Sequence, residues 1–180
     1  MRSVSLVVSG TANGTGKTWA YPNGKALGFF QIPTYSCTVS GKGSGGGVVK
    51  QVFNVFRFGV HCPDGKSASV VGLAKLQTHA IKAWIPTYRV HSYVSPEEGA
   101  WQVYGNFLIH DGPDDSKEIA ATIGCIEILG PMAFVKFNDL IISLAGPRAS
   151  SREKQLLEIG DSGKLTITYQ AAARPSLKLA

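Results

Sequence analysis

Helical periodicity is confined to the last third of this chain, and that segregation constrains the fold more than any other feature. Phe134, Phe137, Leu140, Ile141 and Leu144 recur at helical spacing, with Pro131 at a start and Gly146-Pro147 at a stop. Ser150-Ser151-Arg152-Glu153 fits a capping box for a short second helix ending near Gly160. Before residue 131 the chain is cut into short strand-like runs by turn signals. Val4–Val8 and Thr18–Tyr21 read as β, and Pro22-Asn23-Gly24 as a hairpin turn. Leu27–Ile32 reads as the return strand, and Tyr35–Val39 as a further strand after Pro33. Residues 41–47, GKGSGGG, predict a flexible loop without packing side chains.

Over 51–60 the alternation of Val52, Asn54 and Phe56 with Phe53, Val55 and Arg57 predicts a strand buried on both faces. Residues 62–66 predict a turn, and 68–85 fit strand or helix equally. The runs 87–94, 101–110 and 164–169 alternate as strands do. Short strands followed by separate helices predict a mainly β (α+β) sandwich with one or two helices in the C-terminal third, not a doubly wound parallel sheet. Residues 1–170 read as one domain and 171–180 as a flexible tail.

Composition agrees with a packed domain. The chain has 180 residues, 44% of them hydrophobic and 17% charged, with 21 glycines to serve many turns. The net charge of +6 is spread without a long basic run, which favours a solubility effect over a nucleic-acid partner. No apolar stretch reaches membrane-spanning length. The apolar start Val4–Val8 is short and broken by Ser5, so no secretory signal is visible. Cys37, Cys62 and Cys125 are too few for a disulfide scaffold; buried thiols are expected at Cys37 and Cys62, with a Cys37–Cys62 bridge the alternative. GTGKT at 14–18 misses the phosphate-loop spacing, because Gly10 stands one residue too far from Gly16. The four histidines and three cysteines have no zinc-ligand spacing, so no metal is expected.

One constellation carries chemistry. His110 ends an apolar strand and is followed by Asp111-Gly112-Pro113; Cys125 follows Gly124 at the start of another strand. A thiol attacks only as thiolate, and a neighbouring imidazole is the usual means of producing one. Gly124 would let the backbone N–H groups of residues 124 and 125 face a developing oxyanion. On the residues alone two readings stand: a nucleophile with its base, and a loop histidine with an inert core thiol. Asp111 either orients His110 or ends a turn.

Ile109-His110-Asp111-Gly112 and Thr122-Ile123-Gly124-Cys125-Ile126-Glu127 resemble the signature of the L,D-transpeptidase catalytic domain. There a strand ends in His-x-Gly, and the nucleophile lies in a Ser/Thr-His-Gly-Cys-[Ile/Val]-Arg segment. The likeness extends to the order of elements over most of the chain: the hairpin at 18–43, the strand at 87–93, the helix after the cysteine and the final strand at 165–169. It implies an L,D-transpeptidase-like β-sandwich and a cysteine enzyme that modifies peptidoglycan. Cys125, activated by His110, would attack the tetrapeptide stem before its terminal D-alanine, with Gly124 and Cys125 N–H groups as oxyanion hole. Cross-linking, D-amino-acid exchange or carboxypeptidase hydrolysis would follow, with no cofactor.

Two positions depart from that signature: Ile123 stands where the family has histidine, and Glu127 where it has arginine. Replacements on the substrate side are His91, Arg89 and Lys136, with Glu127 itself. The implied place of action is the periplasm or cell wall. The divergent motif favours an antibacterial toxin delivered by a type VI-like system, with a cognate immunity protein as partner; a trimmed chain and a phage component are the other expectations. The rivals are a papain-like or amidase-type cysteine peptidase cutting wall peptides, and a β-rich binding or secretion-associated module.

Overall fold

The computed structural model describes residues 1–91 and 93–180, with no side-chain description for residues 119–121. The fold is mainly β, 39% strand and 15% helical, with both α-helices in the C-terminal part as expected. In chain order the strands are β1 (Val4–Val8), β2 (Gly14–Trp19), β3 (Tyr21–Pro22), β4 (Phe29–Lys42), β5 (Val48–Phe56), β6 (Gly59–Cys62) and β7 (Ser69–Val71). There follow β8 (Gln77–Ala80), β9 (Ala83–Ile85), β10 (Ala100–Tyr104), β11 (Phe107–Asp111), β12 (Ile119–Ala121) and β13 (Ile126–Ile128). Helices α1 (Ala133–Ala145) and α2 (Arg152–Ser162) precede β14 (Leu165–Tyr169).

Eleven strands form one curled sheet with the path β8-β14-β1-β4-β5-β13-β11-β10-β9; β2 joins it through β4, and β12 through β2. β3, β6 and β7 make a separate three-stranded sheet. The long β4 is the spine, pairing with β1 and β2 on one side and β5 on the other. It runs through Pro33, where a break was expected. Gln31 donates its N–H outward to Lys178 O at 2.7 Å, so the donor that Pro33 lacks, two residues on, lies on the same outer side. The β5 ladder begins only at Thr34, so the proline interrupts nothing.

Several other expectations are corrected. The glycine loop is a tight turn inside the β4–β5 hairpin, with Gly43 N–H donating to Gly47 O at 3.0 Å. Residues 48–52 of β5, Val52 included, are exposed on both faces; Phe53 begins the burial of one face, and both faces close over from Val55 onward. Then Arg57 turns the chain out of the large sheet. Its guanidinium is fully buried and donates to Leu73 O, Ser9 O and Gln170 O at 2.6–3.0 Å. Residues 101–110 form two strands, reversing at Gly105-Asn106 rather than running straight. Residues 87–91 and 93–94 are not strand but part of a long connection between β9 and β10; Ser92 lies outside the described residues. The second helix starts from Ser151, whose hydroxyl accepts from Lys154 N–H, so the expected Ser150–Glu153 box is shifted by one residue. Where a loose tail is expected, Ala172 donates to Ala74 O at 2.9 Å and Ala180 to Phe29 O at 2.8 Å.

α1 packs across β1, β4, β5, β11 and β13. Its Phe134 and Phe137 join Ile109, Ile126, Ile128 and Trp101 in the main core. Trp101 Nε1 donates to the buried Asn138 Oδ1 at 2.9 Å, which satisfies both polar groups inside that core. Because strand side chains alternate faces, filling the helix side with 109, 126 and 128 sends 108, 110, 125 and 127 to the other side.

Candidate active site

That opposite face of β11 and β13 holds the site. The two strands are parallel neighbours, with Ile109 opposite Ile126 and His110 opposite Glu127. Cys125 therefore falls one alternate position before Glu127, and Leu108 one before His110. Cys125, His110 and Glu127 all line one small cavity, of about 90 Å³. His91, Tyr88, Tyr21, Asn106 and Thr122 complete its polar and aromatic wall.

The crossover from β11 to β13 is pinned at its end. β12 pairs in parallel with β2; Thr122 N–H donates to Thr18 Oγ1 at 3.1 Å, and Val60 N–H to Thr122 O at 2.9 Å. Two glycines permit this packing. A Cβ on Gly59 would sit 2.0 Å from Thr122 O. Gly124 has φ +94°, and a Cβ there would meet Gly72 Cα at 2.8 Å. The peptide before Cys125 is thus held against the β7 segment.

His110 is 4% exposed, and its Nδ1 lies 2.7 Å from the carbonyl oxygen of Asp111. A carbonyl only accepts, so Nδ1 carries the proton and Nε2 keeps its lone pair. Burial lowers the imidazole pKa to about 4, with the Asp111 hydrogen bond opposing and His91 adding to the fall. His110 is therefore neutral near pH 7, with a basic nitrogen free. The Tyr88 ring lies over it, centroids 4.9 Å apart.

The Cys125 thiol is buried as well. Burial pushes its pKa up to about 12; the Leu108 N–H beside it acts against this rise and Glu127 with it. The thiol donates to Asn106 O at 3.8 Å. Among the described residues no hydrogen bond joins this sulfur to His110 or His91. The pair share a cavity without forming a resting thiolate–imidazolium ion pair.

Glu127 is 2% exposed, and burial raises its pKa to about 8. Oε1 stands 4.0 Å from His110 Nε2. The Thr122 hydroxyl is close enough to oppose the pKa rise, yet neither Thr122 Oγ1 nor Glu127 Oε2 completes a hydrogen bond of ordinary geometry.

The remaining expected residues divide. His91 is in the site, with its ring 5.3 Å from that of Tyr21, while Gly124 adjoins the lining residues Ile123 and Cys125 without lining the cavity itself. The Asp111 side chain projects to the other face, where it lines a different cavity with Tyr93 and Asp114. It is its carbonyl, not its carboxylate, that orients His110. Burial raises the Asp111 carboxyl to about 6. Arg89 is exposed and donates to Pro86 O and Tyr88 O, so it holds its own loop rather than facing the cavity. Lys136 is exposed on α1, behind the sheet.

Sequence reasoning missed Tyr21, Tyr88 and Asn106. Tyr88 comes from the 86–99 connection, which closes where Gly99 N–H donates to Tyr88 O at 3.0 Å. Glu98 carboxylate oxygens accept from Val90 and Ser95 N–H groups inside it. Arg152 anchors its base through Glu97, at 2.6 and 2.9 Å. Cys37 and Cys62 are free, buried thiols, which removes the disulfide alternative. The groups on the cavity wall have the composition for acid–base and thiol chemistry. No family model, no curated protein and no solved structure matches the chain.

Proposed function

We propose that Cys125 is the nucleophile of an acyl-transfer enzyme acting on peptide stems of peptidoglycan, with an L,D-transpeptidase-like fold. The carrying observation is the parallel pairing of β11 with β13, which aims His110 and Cys125 into one cavity. The Nδ1–H bond to the Asp111 carbonyl supports the reading, since it leaves His110 Nε2 as the base. The resting thiol is neutral, so the proton passes from Sγ to Nε2 as the S–C bond forms. The carbonyl oxygen takes up the negative charge and is received by N–H groups at Gly124 and Cys125. Collapse expels the amine of the D-amino acid, which takes the proton from His110. A second amine, or water, then resolves the thioester and restores Cys125.

The action is placed at the cell wall, and delivery as an antibacterial toxin with an immunity protein is part of the same proposal. A second reading has its own support: a thiol near 12 that donates to a carbonyl is also what an inert core cysteine in a β-rich binding module looks like. Incubation with purified tetrapeptide muropeptides, followed by mass spectrometry, separates the two. The acyl-transfer reading expects loss or exchange of the terminal D-alanine and an adduct on Cys125. Cleavage at another amide would establish the peptidase rival. No turnover, with Cys125→Ala indistinguishable from the native chain in every assay, leaves the binding module.

A further inference from the structure

The cavity wall contains one acid and no lysine or arginine among the described residues. Glu127 and Thr122 line it, each 2% exposed, and Glu127 Oε2 and Thr122 Oγ1 are buried without a completed hydrogen bond. Their neighbour His110 keeps its Nε2 lone pair for the Cys125 proton, because its own proton is held at Nδ1 by the Asp111 carbonyl. Buried acceptors left together call for a donor, and a carboxylate calls for a cation. A carboxylate brought to Glu127 would find no positive side chain to hold it, whereas an ammonium supplies donors for the Glu127 carboxylate and the Thr122 oxygen.

We propose that Glu127 and Thr122 form an ammonium subsite beside Cys125, so that the site takes substrates presenting a primary amine at Glu127 and turns away those presenting a carboxylate at that position. This rests on the acyl-transfer reading for its word substrate, but the subsite is a property of the cavity and is measurable without turnover. In the free protein about one tenth of Glu127 is ionised at pH 7, given a pKa near 8, so affinity for an ammonium rises about tenfold on going well above pH 8. The other titratable groups on the cavity wall are His110, His91, Tyr88, Tyr21 and Cys125.

The test uses three thiol reagents of matched size: 2-aminoethyl, 2-hydroxyethyl and 2-sulfonatoethyl methanethiosulfonate. Each transfers its thioalkyl group to Cys125 as a disulfide and releases methanesulfinate. Rates at Cys125 are read by peptide mapping at pH 8.5, each divided by its rate with free cysteine. The expected cationic-to-anionic ratio is about a hundredfold in the native chain, falling at least tenfold in Glu127→Gln, with the neutral reagent within about threefold throughout. A normalised ratio near one, or one unchanged by Glu127→Gln, overturns the subsite. Labelling of buried Cys37 reports any variant that unfolds, and Thr122→Val then serves in place of Glu127→Gln, with a smaller fall in the ratio expected and an unchanged ratio refuting the subsite. A retained ratio without turnover on muropeptides removes the enzyme reading and leaves the ammonium subsite standing.

Discussion

A pH titration of Cys125 alkylation tests the electrostatics of the site directly. Burial sets this thiol at about 12 and His110 at about 4. An ordinary cysteine, titrating near 8.5, is about 10% thiolate at pH 7.5; a thiol at 12 is about 0.003% thiolate, roughly three thousand times less. Its thiolate is intrinsically more nucleophilic, by about 30-fold for 3.5 units at a Brønsted slope near 0.4. The net expectation is alkylation by iodoacetamide about one hundredfold slower than free cysteine at pH 7.5. The rate should climb about tenfold per pH unit up to pH 10, without a plateau, because the group being ionised titrates above that range. His110→Ala should leave this profile in place, since the histidine is neutral and unbonded to the sulfur throughout. A plateau reached below pH 7, abolished by His110→Ala, would mean a preformed thiolate–imidazolium pair and would refute the reasoning.

Three further outcomes are expected. Gly124→Ala forces a side chain onto φ +94° and into the backbone of Gly72 at 2.8 Å; it should destabilise the fold by about 2–4 kcal/mol, lowering Tm by about 5–10 °C in a thermal scan, and an unchanged Tm contradicts the packing. Glu127 has its folded pKa raised to about 8 against 4.5, so its contribution is fully present below about pH 4.5 and is lost as pH rises through 8. Urea unfolding of Glu127→Gln against the native chain should therefore shift in favour of the variant between pH 5 and 8.5, by at most about 5 kcal/mol; a pH-independent difference rules out the raised carboxyl. Arg152→Ala removes a half-exposed pair with Glu97 and should change global stability by only about 1 kcal/mol, while hydrogen exchange speeds up in the 88–99 connection; exchange confined to α2 would show that Glu97 does not anchor that connection.

What was legible in the residues is what depends on local periodicity. The helical spacing of Phe134, Phe137, Ile141 and Leu144 is satisfied by α1 lying on the sheet, and Gly146 caps it in the left-handed conformation the motif predicts. The His110 and Cys125 strands were legible for the same reason: each has a core-facing partner beside it, Ile109 and Ile126. The errors lie where alternation has no ladder to join. Residues 87–94 alternate like a strand, yet β9 and β10 already pair at Ile85 and Ala100, so the intervening segment is spent on crossing the site. Gln102, Tyr104 and Phe107 read as one strand, although Gly105-Asn106 is a two-residue hairpin signal that pairs Tyr104 with Phe107, with Gly105 at φ +53°. Asp111 shows the limit of naming a residue without its face: the position was right and the carbonyl, not the carboxylate, does the orienting.

The same geometry bears on how such a site would work. Moving a proton from a thiol at 12 to an imidazole at 4 costs about 11 kcal/mol before the two charges attract each other, so an unassisted ion pair is negligible in the empty cavity. On the proposed reading, a substrate would lower that cost in two ways. Its carbonyl accepts the sulfur as the proton leaves, so no free thiolate is formed. An ammonium on the proposed subsite would offset the Glu127 charge that otherwise raises the thiol pKa. Under the proposed acyl-transfer reading, reactivity at Cys125 would be conditional on occupancy: the cavity that keeps the thiol protonated when empty would activate it when filled. Where the resembling family places an arginine, a permanent cation would lower the thiol pKa whether or not substrate were present. On the proposed reading, Glu127 would make that step wait for the ligand.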